Sequence, residues 1–374
     1  MRAPSLPEQL FVSTTPGLES ILADEAAHLG PVRPVEGGVL LEGEAGLHRK
    51  ANLELRVAGR VLQRIANLEA DSPIRLQRAL ERLDLSPWRT REGFAIGSVE
   101  VKGGPVHRGE LTRLVTQTLG LVSPPSRDPQ AQEHFAQGPV GLWLRASGTR
   151  LSVSVDTSGE LLYRRGYRQE VSRAPLRETL AAGILALAGH GPREPLVDPM
   201  CGSGTFLIEG LWRSMGRAPG LQRPFAFESF PSHDAAAWQA ERAAAAQREG
   251  PACPAFGFDL NAVALGTARR NARRAGVQEQ LELERRDIAA LAPPPVGPGL
   301  VVVNPPYGKR VGEREELLVL YRALGEALRG RFTGWRAAVL VPARELSAAL
   351  GLPNPKEYAL DNGGLPVTLQ IANL

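Results

Sequence analysis

Sulfur, lysine and long apolar runs are all scarce in this chain of 374 residues. The two cysteines, Cys201 and Cys253, lie far apart and form no Cys-x-x-Cys pair, which argues against a disulfide or zinc framework. No apolar run approaches the roughly 18 residues that span a bilayer. The first ten residues carry Pro4, Pro7 and Glu8 and lack the apolar centre of a secretion signal, so a cytoplasmic protein is expected. The six histidines, His28, His48, His107, His134, His190 and His233, are scattered, none at metal-ligand spacing with another ligand, and no metal is expected. An excess of one charge is missing too. Net charge is +4; residues 1–190 hold 23 Lys/Arg against 21 Asp/Glu and the remainder 21 against 19, leaving no basic tail. Lys50, Lys102, Lys309 and Lys356 are the only lysines, the other cations being arginine. A pI near 9.3 is compatible with a nucleic-acid partner without demanding one. Arginine suits phosphate, but a GC-rich genome produces the same bias.

What is present is a soluble globular composition, 43% hydrophobic and 22% charged, at a length that implies two or three domains. Residues 10–65 alternate short strands (Leu10–Thr14, Gly37–Glu42, Arg60–Ile65) with helices (Pro16–Leu29, Leu47–Leu55), as a ferredoxin-like module does. A second unit over 74–157 holds a helix (Ile74–Leu83), a strand (Phe94–Val101), a helix (Leu111–Leu119) and a hairpin (Val140–Arg145, Arg150–Asp156), with a loop at Pro124–Pro129. From about residue 170 strand–helix alternation signals a parallel sheet. Its predicted strands are Pro195–Val197, Ala255–Phe258, Leu281–Glu284, Gly299–Val303 and Arg336–Val341. Helices are predicted over Leu176–Leu187, Thr205–Met215, Ala262–Ala275 and Glu315–Leu328, with Ala235–Ala246 a further candidate.

Two loops in that alternation carry chemistry. Asp198-Pro199-Met200-Cys201-Gly202-Ser203-Gly204-Thr205 puts two glycines where a buried strand turns into a helix. Glycine permits close backbone approach, and a helix start offers free N–H groups to an anionic ligand end. Asp259, ending the second strand with Leu260 after it, is placed to accept from ribose hydroxyls. Asp287, followed by Ile288 after the third strand, is placed to meet an adenine amino group. A helix cap is the plainer role for Asp259. No G-x-x-x-x-G-K-[ST] exists, position 207 is Leu where a dinucleotide fingerprint needs glycine, and Ser203 sits in no G-x-S-x-G elbow. S-adenosylmethionine is thus a better cofactor than a nucleoside triphosphate or a nicotinamide.

The second loop, Asn304-Pro305-Pro306-Tyr307, leaves the fourth strand on two rigid prolines. The Asn304 side-chain oxygen and the Pro305 carbonyl can accept both N–H groups of an exocyclic amine, and Tyr307 can stack on its ring. Holding both N–H bonds favours a pyramidal nitrogen whose lone pair faces a methyl sulfonium, which is catalysis by positioning. The plainer reading is a strand-terminating loop with a core tyrosine.

These motifs resemble those of the THUMP-domain class I RNA methyltransferases, within them the N2-guanine half of the bacterial 23S rRNA methyltransferase RlmL and its stand-alone relatives. The resemblance adds Ser13–Glu19, Arg164–Arg168, Ala174–Ala182, Arg217–Leu221 and Tyr358–Gly363 and covers nearly the whole chain. It implies a ferredoxin-like domain (1–70), an RNA-gripping THUMP domain (71–158) and a Rossmann-like methyltransferase domain (159–374). It implies that Ala174, Pro175 and Leu176 pack over the cofactor, and it places the second methyltransferase half of some bacterial relatives outside this chain. The expected substrate is the exocyclic N2 of a guanosine in 23S rRNA, with Arg145, Arg164, Arg165 and Arg168 as phosphate contacts and the protein a monomer. Transfer RNA, adenine N6 or release-factor glutamine as acceptors are alternatives, as is a non-catalytic RNA-binding or ribosome-assembly protein.

Overall fold

The computed structural model describes residues 7–122, 138–169, 176–307 and 313–374. Ala174 and Pro175, the Pro124–Pro129 loop and Gly308 lie outside the described residues. Two compact units emerge. One takes the residues up to Thr14, Leu22–Leu162 and Arg223–Ala243; the other takes Thr15–Ile21, Tyr163–Gln222 and Ala244–Leu374.

In chain order the first elements are β1 (Glu8–Ser13), α1 (Glu19–Ala26), β2 (Val32–Val35), β3 (Gly38–Gly43), α2 (Leu47–Glu54), β4 (Arg60–Glu69), α3 (Pro73–Glu81), β5 (Phe94–Lys102), α4 (Arg108–Leu119), β6 (Val140–Ser147) and β7 (Arg150–Asp156). Their strands form one sheet in the order β2-β3-β1-β4-β7-β6-β5, parallel only between β5 and β6. Strand β4 spans it: Arg60–Gln63 pair with β1 and Leu62–Glu69 with β7. Helix α3 starts where Ser72 accepts from the Arg75 N–H and Pro73 fills the first turn, which needs no donor there. Its Leu76 and Leu80 join Leu111 and Val115 of α4 over Val99, Leu144, Leu151 and Val153.

The later elements are α5 (Glu178–Leu187), β8 (Leu196–Asp198), α6 (Thr205–Ser214), α7 (Ala235–Gln247), β9 (Ala255–Asp259), α8 (Ala262–Ala275), β10 (Leu281–Arg285), β11 (Leu300–Val303), α9 (Glu313–Arg331), β12 (Arg336–Val341), α10 (Arg344–Leu350), β13 (Lys356–Asp361) and β14 (Pro366–Asn373). The sheet order is β10-β9-β8-β11-β12-β14-β13. Strands β10 through β12 are parallel, β14 runs antiparallel to β12, and β13 to β14. Strand order therefore reverses between β8 and β11, and connections leaving in opposite directions open a crevice at their carboxyl ends. Every residue of β11 is buried, as a central parallel strand requires. Tyr321, Leu324 and Leu328 of α9, with Phe332 just past its end, pack there with Val301, Val303, Val339 and Val341.

Four elements go beyond the sequence reading: β2, α10 and the β13–β14 hairpin. Pro34 lies in the short edge strand β2, where a missing donor is tolerated, and β13 is a half-exposed edge with no clear alternation. Among the described residues no helix is long and apolar enough to cross a membrane. Leu324→Ala removes a fully buried side chain from this core and is expected to lower unfolding stability by about 2–5 kcal/mol in urea titration.

Candidate active site

The glycine loop is held by its own backbone. The Cys201 N–H donates to the Phe258 carbonyl at 2.9 Å, and the Gly204 N–H to the Cys201 carbonyl at 2.8 Å. Gly202 and Gly204 adopt φ of 53° and 83°, left-handed values that favour glycine. They serve different ends. A Cβ on Gly202 would meet nothing within 4 Å, so open space lies beside the loop; one on Gly204 would come within 3.2 Å of the Ala268 Cβ, so this glycine lets α8 approach.

Asp198, 2% exposed at the end of β8, accepts from the Met200 N–H at 3.1 Å. Burial, with the nearby Asp259 carboxylate, pushes its carboxyl well above the usual range. Pro199 is buried behind it, and Met200 and Ile288 pack on the sheet core. Asp259 ties β9 to the loop: one carboxylate oxygen takes the Gly202 N–H at 2.9 Å, the other the Asn261 N–H at 2.8 Å. The helix cap belongs instead to Asn261, whose side chain accepts from the Val263 and Ala264 N–H groups. Beside them Leu260 and Val263 are 58% and 76% exposed, an apolar edge at the mouth of the crevice. Asp287 accepts from the Ala289 N–H at 2.8 Å and is itself exposed.

Two arginines expected on phosphate are placed elsewhere. Arg165 is 2% exposed and lies 3.5 Å from the buried Glu209, which also accepts from the Tyr167 hydroxyl at 3.1 Å. Arg168 pairs with Glu178 at 3.2 Å and donates to the Leu176 carbonyl and to the Thr205 hydroxyl. Their charges are committed to buried carboxylates, which would be left uncompensated without them. Arg168 thereby ties the chain at Leu176 to the first residue of α6, a link no spacing rule in the sequence shows. Arg145 bonds Glu100 at 2.7 Å and lies over the Phe11 ring.

Across the crevice, β11 delivers Asn304 to the carboxyl edge, followed by a buried Pro305 and an exposed Pro306. The buried Tyr321 reaches the Pro306 carbonyl at 3.5 Å and props the loop from below. The half-buried Tyr307 turns back on its own strand and donates its hydroxyl proton to Asn304 Oδ1. Asn362 Nδ2 donates to the same hydroxyl at 3.1 Å. Burial lifts the Tyr307 phenol to about 12, so it is neutral at physiological pH. Asn362 enters the sequence reading only inside the Tyr358–Gly363 stretch of the resemblance, with no role in the site; the one local signal there is the Asn-Gly-Gly turn.

Glu178 sets a pH dependence. Burial raises its carboxyl to about 7, against a partial opposing pull from Arg168. The folded chain thus holds this proton more tightly than the unfolded one. The associated stability is complete below about 4.5 and is lost as pH rises through about 7. Glu178→Gln carries no such proton. Between those limits urea unfolding should show the stability gap between the two proteins moving by about 1 kcal/mol or more in favour of the variant.

The RMKL-like methyltransferase domain, UPF0020, matches residues 165–371, and the RlmL ferredoxin-like domain matches residues 9–62. The ribosomal RNA large subunit methyltransferase K/L of Syntrophotalea carbinolica is 36% identical over 385 residues, covering 97% of this chain and 53% of that enzyme, so the chain spans about half its length. A Synechocystis protein provisionally named an RNA methyltransferase is 32% identical over 367 residues, covering 96% of this chain and 95% of its own. The crystal structure of SMU.472, provisionally a methyltransferase and complexed with S-adenosylhomocysteine (SAH), superposes with a TM-score of 0.83 at 26% identity, over 98% of both chains. The open space beside Gly202, the exposed Leu260 and the acids ending β8 and β9 suit S-adenosylmethionine. The expected ferredoxin-like and Rossmann-like folds are both present. Matched over more than half its length, the chain belongs to the RMKL-like (UPF0020) methyltransferase family, whose cofactor is S-adenosylmethionine.

Proposed function

We propose that the chain is an RNA methyltransferase that methylates the exocyclic N2 of a guanosine in 23S rRNA. The observation that carries this reading is the pairing of Asn304 and a neutral Tyr307 at the end of β11, next to the glycine loop at the end of β8. The names of the relatives support RNA as substrate. The first unit supports it too, read as a ferredoxin-like domain over 1–70 followed by a THUMP domain over 71–158 that grips folded RNA by shape. The methyltransferase domain is then 159–374.

S-Adenosylmethionine, when bound, supplies an electrophilic methyl group. Toward it, Asp198, Pro199, Met200, Gly202, Gly204 and Thr205 would form the bed for the methionine end, with Leu176 tied next to Thr205 through Arg168. Asp259 with Leu260 meets the ribose, and Asp287 with Ile288 the adenine. On the substrate side Asn304 Oδ1 and the Pro305 carbonyl accept the two N–H groups of the target amine. A flipped-out base lies against Tyr307, held by Pro306 in a loop that has little freedom to move. The amine lone pair is then withdrawn from the ring and exposed, a gain from positioning that needs no strong base.

Labelled S-adenosylmethionine incubated with undermodified 23S rRNA, 16S rRNA, transfer RNA and DNA tests the substrate. N2-methylguanosine in 23S rRNA is the expected product, and label confined to transfer RNA overturns the ribosomal assignment. Asn304→Ala should lower the rate by about 10²-fold or more with SAH binding retained. Gly202→Ala introduces a Cβ into the open space at a left-handed φ. It should weaken SAH binding in calorimetry by about tenfold while the circular dichroism spectrum stays that of the wild type.

A further inference from the structure

Among the described residues the Asn304 side chain has one partner, the Tyr307 hydroxyl. A carboxamide is an acceptor at one end and a donor at the other, and the ends are almost equal in size. Which end faces an incoming amine is therefore decided by what the amide bonds to. A hydroxyl has one proton to give. Because Asn362 donates to the Tyr307 oxygen, that proton is directed to Asn304. Asn304 is thereby turned with Oδ1 toward the site, and this oxygen keeps a second lone pair for a substrate N–H.

We infer that Asn362 is a positioning residue of the target-amine site, acting through the Tyr307 hydroxyl to present the oxygen of Asn304 rather than its NH2. The inference rests on the reading of Asn304 as an amine acceptor.

The backbone around Asn362 is built to hold it there. Asn362 flanks a two-residue turn, its N–H donating to the Leu365 carbonyl at 2.9 Å and its carbonyl accepting from the Leu365 N–H at 3.4 Å. Gly363 and Gly364 both have left-handed φ, 66° and 90°, as a tight hairpin of matching twist requires. Asp361 closes the turn by accepting from the Gly364 N–H at 2.7 Å. Strand β14 pairs Thr368 with Val341 at the carboxyl end of β12, so the hairpin tip lies at the sheet edge where the β11 loop emerges. The hairpin contributes a donor 55 positions from Tyr307.

Asn362→Asp tests the direction of this relay with almost no change in shape. A carboxylate only accepts, so the Tyr307 proton turns to it, and Asn304 presents its NH2 to the hydroxyl and to the amine. Turnover on RNA should fall by about 10- to 100-fold with SAH affinity unchanged. Relative to wild type it should recover as pH falls toward the carboxyl range, where a protonated Asp side chain can donate again. In a Tyr307→Phe background the same substitution should have no further effect. A parallel readout needs no activity: the tyrosine Fermi doublet in Raman spectra, isolated by subtracting Tyr307→Phe, should shift from a hydroxyl that donates and accepts toward a stronger donor. Loss that is equal at every pH, or that persists in the Tyr307→Phe background, overturns the relay, as does an unchanged doublet. A shifted doublet in a protein that methylates no nucleic acid keeps the relay and overturns the proposed function.

Discussion

The reversal of strand order between β8 and β11 is the constraint on which the site depends. It places the two loops that carry chemistry on adjacent strands, with helices leaving in opposite directions. The space so created must be lined by backbone that cannot pair within the sheet, and this protein satisfies that backbone locally. The Cys201 and Gly202 N–H groups go to β9, one to a carbonyl and one to the Asp259 side chain, and the Asp198 carboxyl takes Met200. The loop's N–H groups are thus bonded within the protein itself. Part of its cost is visible in Asp198, a carboxyl buried where its charge is unwelcome. Groups of that kind weaken the folded state and persist where binding needs them.

A second theme is how charge is handled beneath the site. Arg165, Arg168, Glu178 and Glu209 are all largely withdrawn from water between the start of α5 and α6. Guanidinium can serve several acceptors from one plane, and Arg168 uses this to join a carboxylate, a carbonyl and a hydroxyl. Such a cluster adds little net stability compared with apolar packing. It does fix which atoms lie next to the first turn of α6, the end of the helix that faces the crevice.

Much of this was legible in the residues alone. The apolar run Leu300–Val303, the paired glycines before Thr205 and the span Ala262–Ala275 state their structure locally, through periodicity, left-handed turns and a cap. The Asn-Pro-Pro-Tyr loop is equally local. What escaped depends on contacts remote in sequence. Whether Arg168 meets phosphate or Glu178 is decided by how α5 and α6 pack. Asn362 lies in a hairpin whose edge strand lacks a clear pattern, and its partner is a loop on the far side of two helices in the chain. Asp259 showed its chemistry but not its geometry: an acid after a strand can cap a helix, and here Asn261 leaves it free to brace the glycine loop instead.

The segment Arg223–Ala243, which lies between α6 and β9 in sequence, belongs to the first unit and not to the second. Its Arg223 donates to the carbonyls of Leu161 and Glu160, and its Phe227 N–H to that of Thr157, just past β7. Neither unit is therefore a continuous stretch of polypeptide. During synthesis from the N-terminus the first unit cannot be completed until residue 243 has emerged, by which time β8 and α6 are already outside the ribosome without the strands that flank them. A chain that must hold the central strand β8 unpaired while finishing another domain has a window of exposure that a simple two-domain order would avoid.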